Sequence, residues 1–264
     1  MPETSGRPKK RRLDSLLVER GLAESRAKAQ ALILAGAVWS GERRLDKAGT
    51  ELPLDQPLEV EGRDHPWVSR GGVKLAHALQ AFGIDPKGAV ALDIGASTGG
   101  FSDVLAQGGA GKIYAVDVGH GQLAWRLRQD QRVVVLERRN ARYLTRDEVP
   151  EPPTLIVCDA SFIGLETVLP AALALAAPGA ELVALIKPQF EVGPSQVGKG
   201  GVVRDAALHR AVCDRIARWL EAQGWAVLGL VESPIRGADG NVEFLIHARA
   251  AIALAASRGG EGIA

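Results

Sequence analysis

The 264-residue chain predicts an α/β fold, in which a small α+β domain precedes a larger Rossmann-like domain with a seven-stranded, doubly wound sheet. Strand-like and helix-like patterns alternate from Ala89 to His247, and a glycine-rich turn (residues 95–100) follows the first apolar run. A helix–helix–strand pattern ahead of residue 62 predicts the small domain. We therefore expect five segments: a disordered basic tail (1–10), the small domain (11–62), a linker (63–68), the sheet domain (69–250) and a C-terminal tail (251–264).

Composition describes an ordinary globular protein, with 46% hydrophobic and 24% charged residues. The net charge is only +1, so a nucleic-acid site must come from local basic patches. The two cysteines are too few for a disulfide framework, and we predict no metal site. The most apolar stretch, 169–186, is broken by prolines, so we expect a cytoplasmic protein without a membrane partner. A monomer is the simplest assumption, although the sequence leaves the oligomeric state open.

The small domain begins with a helix whose apolar face ends at Gly21, a residue type that commonly terminates helices. Ser25 is placed to cap a second helix that runs to Ala35. Its inner face is expected to hold Ala27, Ile33 and Leu34. Short strands are predicted at Val38–Gly41 and Leu58–Val60.

The sheet domain is expected to open with a helix from Ser69 to Phe82. Seven apolar runs then predict strands. They are Ala89–Leu92, Lys112–Val116, Arg132–Leu136, Thr154–Cys158, Leu182–Ile186, Trp225–Val231 and Val242–Ala248.

The glycine-rich turn reads as a strand–turn–helix cradle for a nucleotide, because Gly95 and Gly99 let the backbone bend sharply. Its spacing departs from the Gly-x-Gly-x-x-Gly fingerprint, which disfavours a dinucleotide and hence a dehydrogenase. Asp93 suits a cationic ammonium or sulfonium, and Asp117 after the second strand can bind ribose hydroxyls. Together they predict S-adenosylmethionine as the cofactor.

Five charged residues are expected to gather at one edge of the sheet. Four of them directly follow apolar strands: Asp93, Asp117, Asp159 and Lys187. Since ligands bind outside the carboxyl ends of parallel strands, all four should lie at the binding edge. Glu243 joins them if the last strand runs antiparallel and begins there.

These features resemble known families over nearly the whole chain. Arg12-Leu13-Asp14 and the run Gly21–Arg26 resemble the RNA-binding module of ribosomal protein S-four. The chain closely resembles the TlyA family of rRNA 2′-O-methyltransferases, sometimes labelled haemolysins, whose catalytic domain is related to FtsJ. The matching runs are Ser69–Leu75, Gly95–Phe101, Ala115–Leu123, Cys158–Ile163, Lys187–Glu191 and Asn241–Glu243.

The resemblance implies a class I methyltransferase domain that acts on cytidine in 16S and/or 23S rRNA of ribosomal subunits. The family's catalytic tetrad falls on Lys74, Asp159, Lys187 and Glu243. Cofactor contacts are expected from Asp93, Gly95, Ser97, Thr98, Gly99, Phe101, Asp117, Asn140 and Asp159. RNA contacts are expected from Arg11, Arg12, Arg26, Lys28, Arg43, Arg44, Arg70, Lys199 and Arg236. His65 stands where some relatives carry a linker arginine, which puts that arginine's role in doubt here.

Two mechanistic questions stay open at this point. Lys187 could accept the proton of the ribose 2′-hydroxyl, or it could stay charged and stabilise the developing alkoxide. The glycine-rich loop Val192–Arg204 could close over substrate or be a plain surface loop. The rival functions are an RNA-binding assembly factor without catalysis and a membrane-active haemolysin.

Overall fold

The computed structural model describes residues 10–40, 43–60, 65–237 and 240–252, and every structural statement below concerns these residues. The predicted N-terminal tail, apart from its last residue, lies outside the described residues. So do residues 63–64 of the predicted linker and residues 253–264 of the predicted C-terminal tail.

The small domain packs two helices against short strands. Its elements are β1 (Lys10–Arg12), α1 (Leu13–Glu19), α2 (Arg26–Leu34), β2 (Val38–Ser40), β3 (Arg43–Arg44), β4 (Glu51–Pro53) and β5 (Glu59–Val60). Strand β1 pairs with β4, and β2 lies between β3 and β5. Ser25 caps α2 as predicted, because its side chain accepts a hydrogen bond from the Lys28 amide.

The inner face of α2 differs from the prediction. Ala29 and Ile33 are buried, whereas Ala27 is exposed and Leu34 is 89% exposed. Residues four apart share one face of a helix, so the pair at 29 and 33 meets α1. Ala27 and Leu34 lie well off that face, and the expectation that they are core residues was wrong.

The large domain alternates strands and helices as predicted. Its elements are α3 (Gly71–Phe82), β6 (Val90–Ile94), α4 (Gly100–Gln107), β7 (Lys112–Asp117), α5 (Trp125–Arg128), β8 (Val133–Glu137), β9 (Leu155–Cys158), α6 (Leu165–Val168), α7 (Pro170–Leu175), β10 (Glu181–Ile186), α8 (Pro188–Glu191), α9 (Ala206–Ala222), β11 (Trp225–Glu232) and β12 (Phe244–Ala250). All seven predicted strands are present, with bounds within two residues of the prediction.

The seven strands form one sheet in the order β11-β12-β10-β9-β6-β7-β8. Only β12 is antiparallel to its neighbours, β10 and β11, among the described pairings. The strand order reverses between β6 and β9, and a crevice for ligands lies outside the carboxyl ends of the strands at such a point.

Helices cover both faces of the sheet, which is why its strands are almost entirely apolar. Helices α3, α4 and α5 bury one face, and α6, α7 and α9 bury the other. Within the described ranges, none of the helices combines the length and the apolarity that crossing a lipid bilayer requires.

The small domain contacts the large domain through the end of the linker. Gly21, which has a positive φ of 64°, lies so close to Val68 that a Cβ would approach the Val68 carbonyl oxygen to 3.0 Å. The Val68 amide donates to Oδ2 of the buried Asp103 at 2.8 Å. Arg126 forms an ion pair with the same carboxylate. Asp103 belongs to α4, so the linker is tied to the helix that follows the glycine-rich turn.

Candidate active site

Two lysine–carboxylate pairs line one cavity of about 590 Å³ at the carboxyl ends of β6, β9 and β10. Lys74, in the first turn of α3, donates to Oε2 of Glu243 at 2.6 Å. Lys187 Nζ, just after β10, lies 2.6 Å from Oδ1 of Asp159, just after β9. Glu243 directly precedes β12, so the antiparallel last strand delivers it to the same edge. The structure thus brings the four tetrad residues together.

The pairs lie almost out of solvent, since Lys74, Lys187 and Glu243 are only 8%, 7% and 3% exposed. Lysines are seldom buried without a partner, so each pair neutralises a charge that would otherwise be costly. Glu243 is also held from the side. A Cβ on Gly237 would lie 2.5 Å from Glu243 Oε1, so the turn before β12 closes tightly on this acid.

Ser161 is a partner of Lys187 that we did not predict. Lys187 Nζ donates to Ser161 Oγ at 2.8 Å and to the Asp159 carbonyl at 3.2 Å. The Asp159 carboxylate contact is an ion pair without hydrogen-bond geometry at Oδ1. Lys187 therefore faces three oxygens. The only sequence signal for Ser161 is its place in the matching run Cys158–Ile163.

The glycine-rich turn forms the wall of the cavity beside these pairs. Gly95 has a φ of 79°, and a Cβ there would lie 2.9 Å from the Ala160 Cα. The predicted cofactor residues that line the cavity are Gly95, Ser97, Thr98, Phe101 and Asp159. Gly99 faces inward instead, since a Cβ there would lie 2.2 Å from the Leu127 side chain. Its role is to let the turn pack on α5.

Asp93 does not follow its strand, as the sequence suggested, but lies within β6 and is fully buried. The strand continues through Ile94, so the carboxylate sits beneath the turn and outside the cavity wall. Ser102 Oγ donates to its Oδ2 at 2.6 Å, and Oδ1 has no partner among the described atoms. Burial raises the pKa of Asp93 to about 7, and the nearby charges of Asp159 and Asp117 add to the effect.

A second cavity of about 680 Å³ adjoins the first and contains Asp117 and Asn140. The Asp117 carboxylate accepts the Ser97 amide at 2.8 Å and the Gly119 amide at 2.6 Å. It therefore ties the end of β7 to the glycine-rich turn. Phe162 lines both cavities, is 89% exposed and has a positive φ of 63°. No sequence pattern predicts such a backbone angle for an aromatic residue.

The predicted RNA contacts fall into three groups. Arg70 and Arg236 line the main cavity, and Lys199 lies on the exposed loop beside it. Lys28, Arg43 and Arg44 are exposed on the small domain. The other three arginines already form ion pairs within the small domain. Arg11 pairs with Glu19, and both Arg12 and Arg26 pair with Asp14.

Asp14 is a buried anchor of the small domain rather than a surface acid. It is 0% exposed, and its hydrogen bond from Arg12, with further ones from Gln30 and Arg26, holds its pKa well below the usual range. Glu24 was likewise not predicted for the site, yet it lines the main cavity. The small domain therefore contributes directly to the wall of the cavity.

Comparisons with known proteins agree with this architecture. Residues 67–250 match the FtsJ-like methyltransferase family, and residues 11–56 match the S4 domain. A candidate rRNA methyltransferase of Bacillus subtilis, YqxC, is 52% identical over 90% of this chain and 85% of that protein. The 16S/23S rRNA (cytidine-2′-O)-methyltransferase TlyA of Mycobacterium tuberculosis is 48% identical over 90% of this chain and 89% of that protein.

Solved structures agree as well. A candidate hemolysin from Streptococcus thermophilus superimposes with a TM-score of 0.71 at 41% identity, covering 93% of this chain and 90% of that one. The chain therefore belongs to the TlyA family and joins an S4 domain to an FtsJ-like methyltransferase domain.

Proposed function

We propose that this protein is an S-adenosylmethionine-dependent 2′-O-ribose methyltransferase that acts on cytidine in 16S and/or 23S rRNA of ribosomal subunits. The observation that carries the proposal is the meeting of two lysine–carboxylate pairs in one cavity beside a glycine-rich turn. The specificity for cytidine in rRNA is proposed by analogy with the TlyA relative of Mycobacterium tuberculosis.

The residues around the two cavities fit the cofactor. S-adenosylmethionine supplies an electrophilic methyl group on a sulfonium. Asp117 lines the adjoining cavity, where its carboxylate favours a ligand with ribose hydroxyls. The buried Asp93 lines neither cavity and supports the glycine-rich turn from beneath. Gly95, Ser97, Thr98, Phe101 and Asp159 would bound the cofactor in the main cavity, and Asn140 in the adjoining one.

The tetrad suits activation of a ribose hydroxyl. A hydroxyl is a poor nucleophile, so the protein must align it and stabilise the oxygen as its proton leaves. Lys187 Nζ is held by Asp159 and Ser161 at the cavity wall, where it can donate to that oxygen. Lys74, fixed by Glu243, supplies a second cation in the same cavity. We favour electrostatic stabilisation by Lys187, because its surroundings are oxygen acceptors that suit an ammonium. The hydroxyl proton then passes to solvent water, and not to this lysine, as the oxygen bonds to the methyl group and the bond from that methyl to the sulfonium breaks.

The test is substitution of Lys187. We expect Lys187→Ala to lower kcat by about 10²–10³-fold, the effect of removing one donor to a developing oxyanion. We expect the affinity of the Lys187→Ala variant for S-adenosylmethionine to stay within about twofold of the wild-type value. Methyl transfer to purified, unmodified 30S and 50S subunits measures the first, and calorimetry measures the second.

The matched control is Lys112→Ala, which removes a lysine–glutamate pair far from the cavity. Near-wild-type turnover by Lys187→Ala would remove this lysine from the mechanism. If wild-type protein binds subunits but transfers no methyl group, the protein is an RNA-binding factor and the proposed function fails.

A further inference from the structure

The segment between α8 and α9 reaches the main cavity at Val197 and Gly201. Residues 198–201 form a tight turn, which we call the tip turn. The Gly201 amide donates to the Gly198 carbonyl at 3.1 Å, and the Gly198 amide donates to the Val202 carbonyl at 3.2 Å. Lys199 is exposed on this turn and forms no ion pair with any described carboxylate.

Val203, just after the tip turn, is 2% exposed and is held at both ends of its backbone by side chains. Its amide donates to Asn241 Oδ1 at 2.9 Å. Its carbonyl lies 2.9 Å from His209 Nε2, and since a carbonyl only accepts, Nε2 carries the proton. Asn241 makes a second bond, because its Nδ2 donates to the Gly201 carbonyl at 3.0 Å.

The two anchors belong to different elements. Asn241 is wholly buried, lies two residues before Glu243 and accepts the Gly237 amide on its carbonyl at 3.0 Å. It therefore ties the tip turn to the turn that packs on the catalytic acid. His209 is 8% exposed, comes from α9, and packs its ring edge-on against Phe244, the residue after Glu243, with ring centroids 5.6 Å apart. Two buried polar side chains that both bind one loop residue restrict the conformation of that loop.

The surroundings of the tip turn are cationic. A Cβ on Gly198 would lie 3.9 Å from the Arg204 guanidinium, so Arg204 lies beneath the turn. Arg70 and Arg236 line the cavity that the turn borders. Arg236 also forms an ion pair with Glu232 at 3.6 Å, so it is only partly available. A nucleic-acid backbone is the ligand that such a set of cations fits.

We propose that Asn241 and His209 are positioning residues that hold the tip turn against the cavity, so that Lys199 meets the phosphate backbone of the RNA strand entering the site. The proposal rests on the proposed function and adds the residues that shape its substrate site. Neither anchor lines either cavity. We therefore expect both to act on RNA through the loop and to leave the affinity for S-adenosylmethionine unchanged.

The test uses full-length Asn241→Ala, His209→Ala and the double variant with unmodified 30S and 50S subunits. We expect each single variant to raise KM for subunits about tenfold while kcat changes less than threefold. The KM of the double variant should be little higher than that of the worse single variant, because both anchors hold Val203. Trypsin cleavage after Lys199 in the free protein should accelerate, since the loop loses its attachment.

The control is His209→Gln, whose side-chain amide can still donate to the Val203 carbonyl, and we expect wild-type kinetics from it. Losses that appear instead in the affinity for S-adenosylmethionine, or unchanged KM and unchanged trypsin cleavage, overturn the proposal. The cleavage assay needs no catalysis. A wild-type protein that methylates nothing therefore refutes the proposed function, while unchanged cleavage in the variants refutes the anchoring.

Discussion

The buried carboxylate of Asp93 accepts a hydrogen bond from one hydroxyl and forms no ion pair with a described residue. Ser102 satisfies one oxygen, and the other has no partner in the described structure. With its pKa raised to about 7, this group is largely protonated in mildly acidic solution and ionises near neutrality. An unfolded chain would carry the same side chain ionised from about pH 4 upward.

Asp93 should therefore weaken folding as the pH rises. Between about pH 4 and 7 the unfolded chain binds fewer protons than the folded one, so the free energy of unfolding falls through this window and levels off above it. We expect Asp93→Asn to gain stability relative to wild type by up to about 4 kcal/mol from pH 4 to 7.5. Urea unfolding at several pH values measures the difference, and a flat difference would contradict the raised pKa.

The glycine-rich turn shows how an element is shaped by packing beneath it. Gly95 faces Ala160 at the cavity side, whereas Gly99 faces Leu123 and Leu127. Ser69 lies against the next residue, because a Cβ on Gly100 would approach Ser69 Oγ to 2.4 Å. The turn is thus pressed between α5 and the start of α3, and its shape depends on both.

Substitution of Gly99 tests this packing, and Gly83 provides a matched control. Both have positive φ, but a Cβ on Gly83 meets nothing within 4 Å. We expect Gly83→Ala to cost about 1–2 kcal/mol from the left-handed backbone alone. Gly99→Ala should cost a further ~1–3 kcal/mol, since the leucines must move. Chemical denaturation measures the free energy of unfolding of both variants. Equal losses would show that the leucines move aside without an energetic cost.

Apolar runs located the large-domain strands. Central strands such as Leu155–Cys158 are buried on both faces, whereas the edge strand Trp225–Glu232 has exposed residues at every second position. The convergence of Lys187 and Asp159 followed from topology alone, since both directly follow parallel strands. Asp93 was misplaced because a buried polar residue inside a strand looks like a strand end in the sequence. Leu34 was misplaced because the face of a helix depends on what it packs against.

Other features left no local trace in the sequence. Glu24 reaches the cavity only through the docking of the small domain, which a linear pattern does not encode. The positive φ of Phe162 is likewise set by its surroundings rather than by its residue type. Asn241 was visible as part of a matching run, but its two bonds to a distant loop were not.

At the scale of the whole molecule, a nearly neutral chain must bind RNA through local charge. On the small domain, Lys28, Arg43 and Arg44 are exposed and form no ion pair with a described residue. Arg12 and Arg26 are instead drawn to Asp14. The unpaired residues should therefore contribute more to RNA affinity than the paired ones.

We expect the combined Arg43→Ala and Arg44→Ala variant to weaken binding to ribosomal subunits and to flatten its salt dependence. Each lost phosphate contact should lower the slope of log K against log salt by about 0.7–0.9. The control is Arg249→Ala, which removes an arginine paired with Glu181 at the opposite edge of the sheet. Binding titrations across salt concentrations measure the slopes, and equal slopes for both variants would exclude Arg43 and Arg44 from the interface.

The reversed direction of β12 has a consequence for how this enzyme can diversify. Its first residues, not its last, lie at the binding edge, and Ile186 pairs with Phe244 at that edge. The connection from β11 therefore arrives directly at Glu243. Substitutions at the exposed residues of this connection, Pro234 and Arg236, can reshape the mouth of the cavity for a new RNA surface. The Ser233 amide, which donates to the Glu243 carbonyl, and the register of β12 keep the acid in place. The same protein can thus acquire new targets without rebuilding its chemistry.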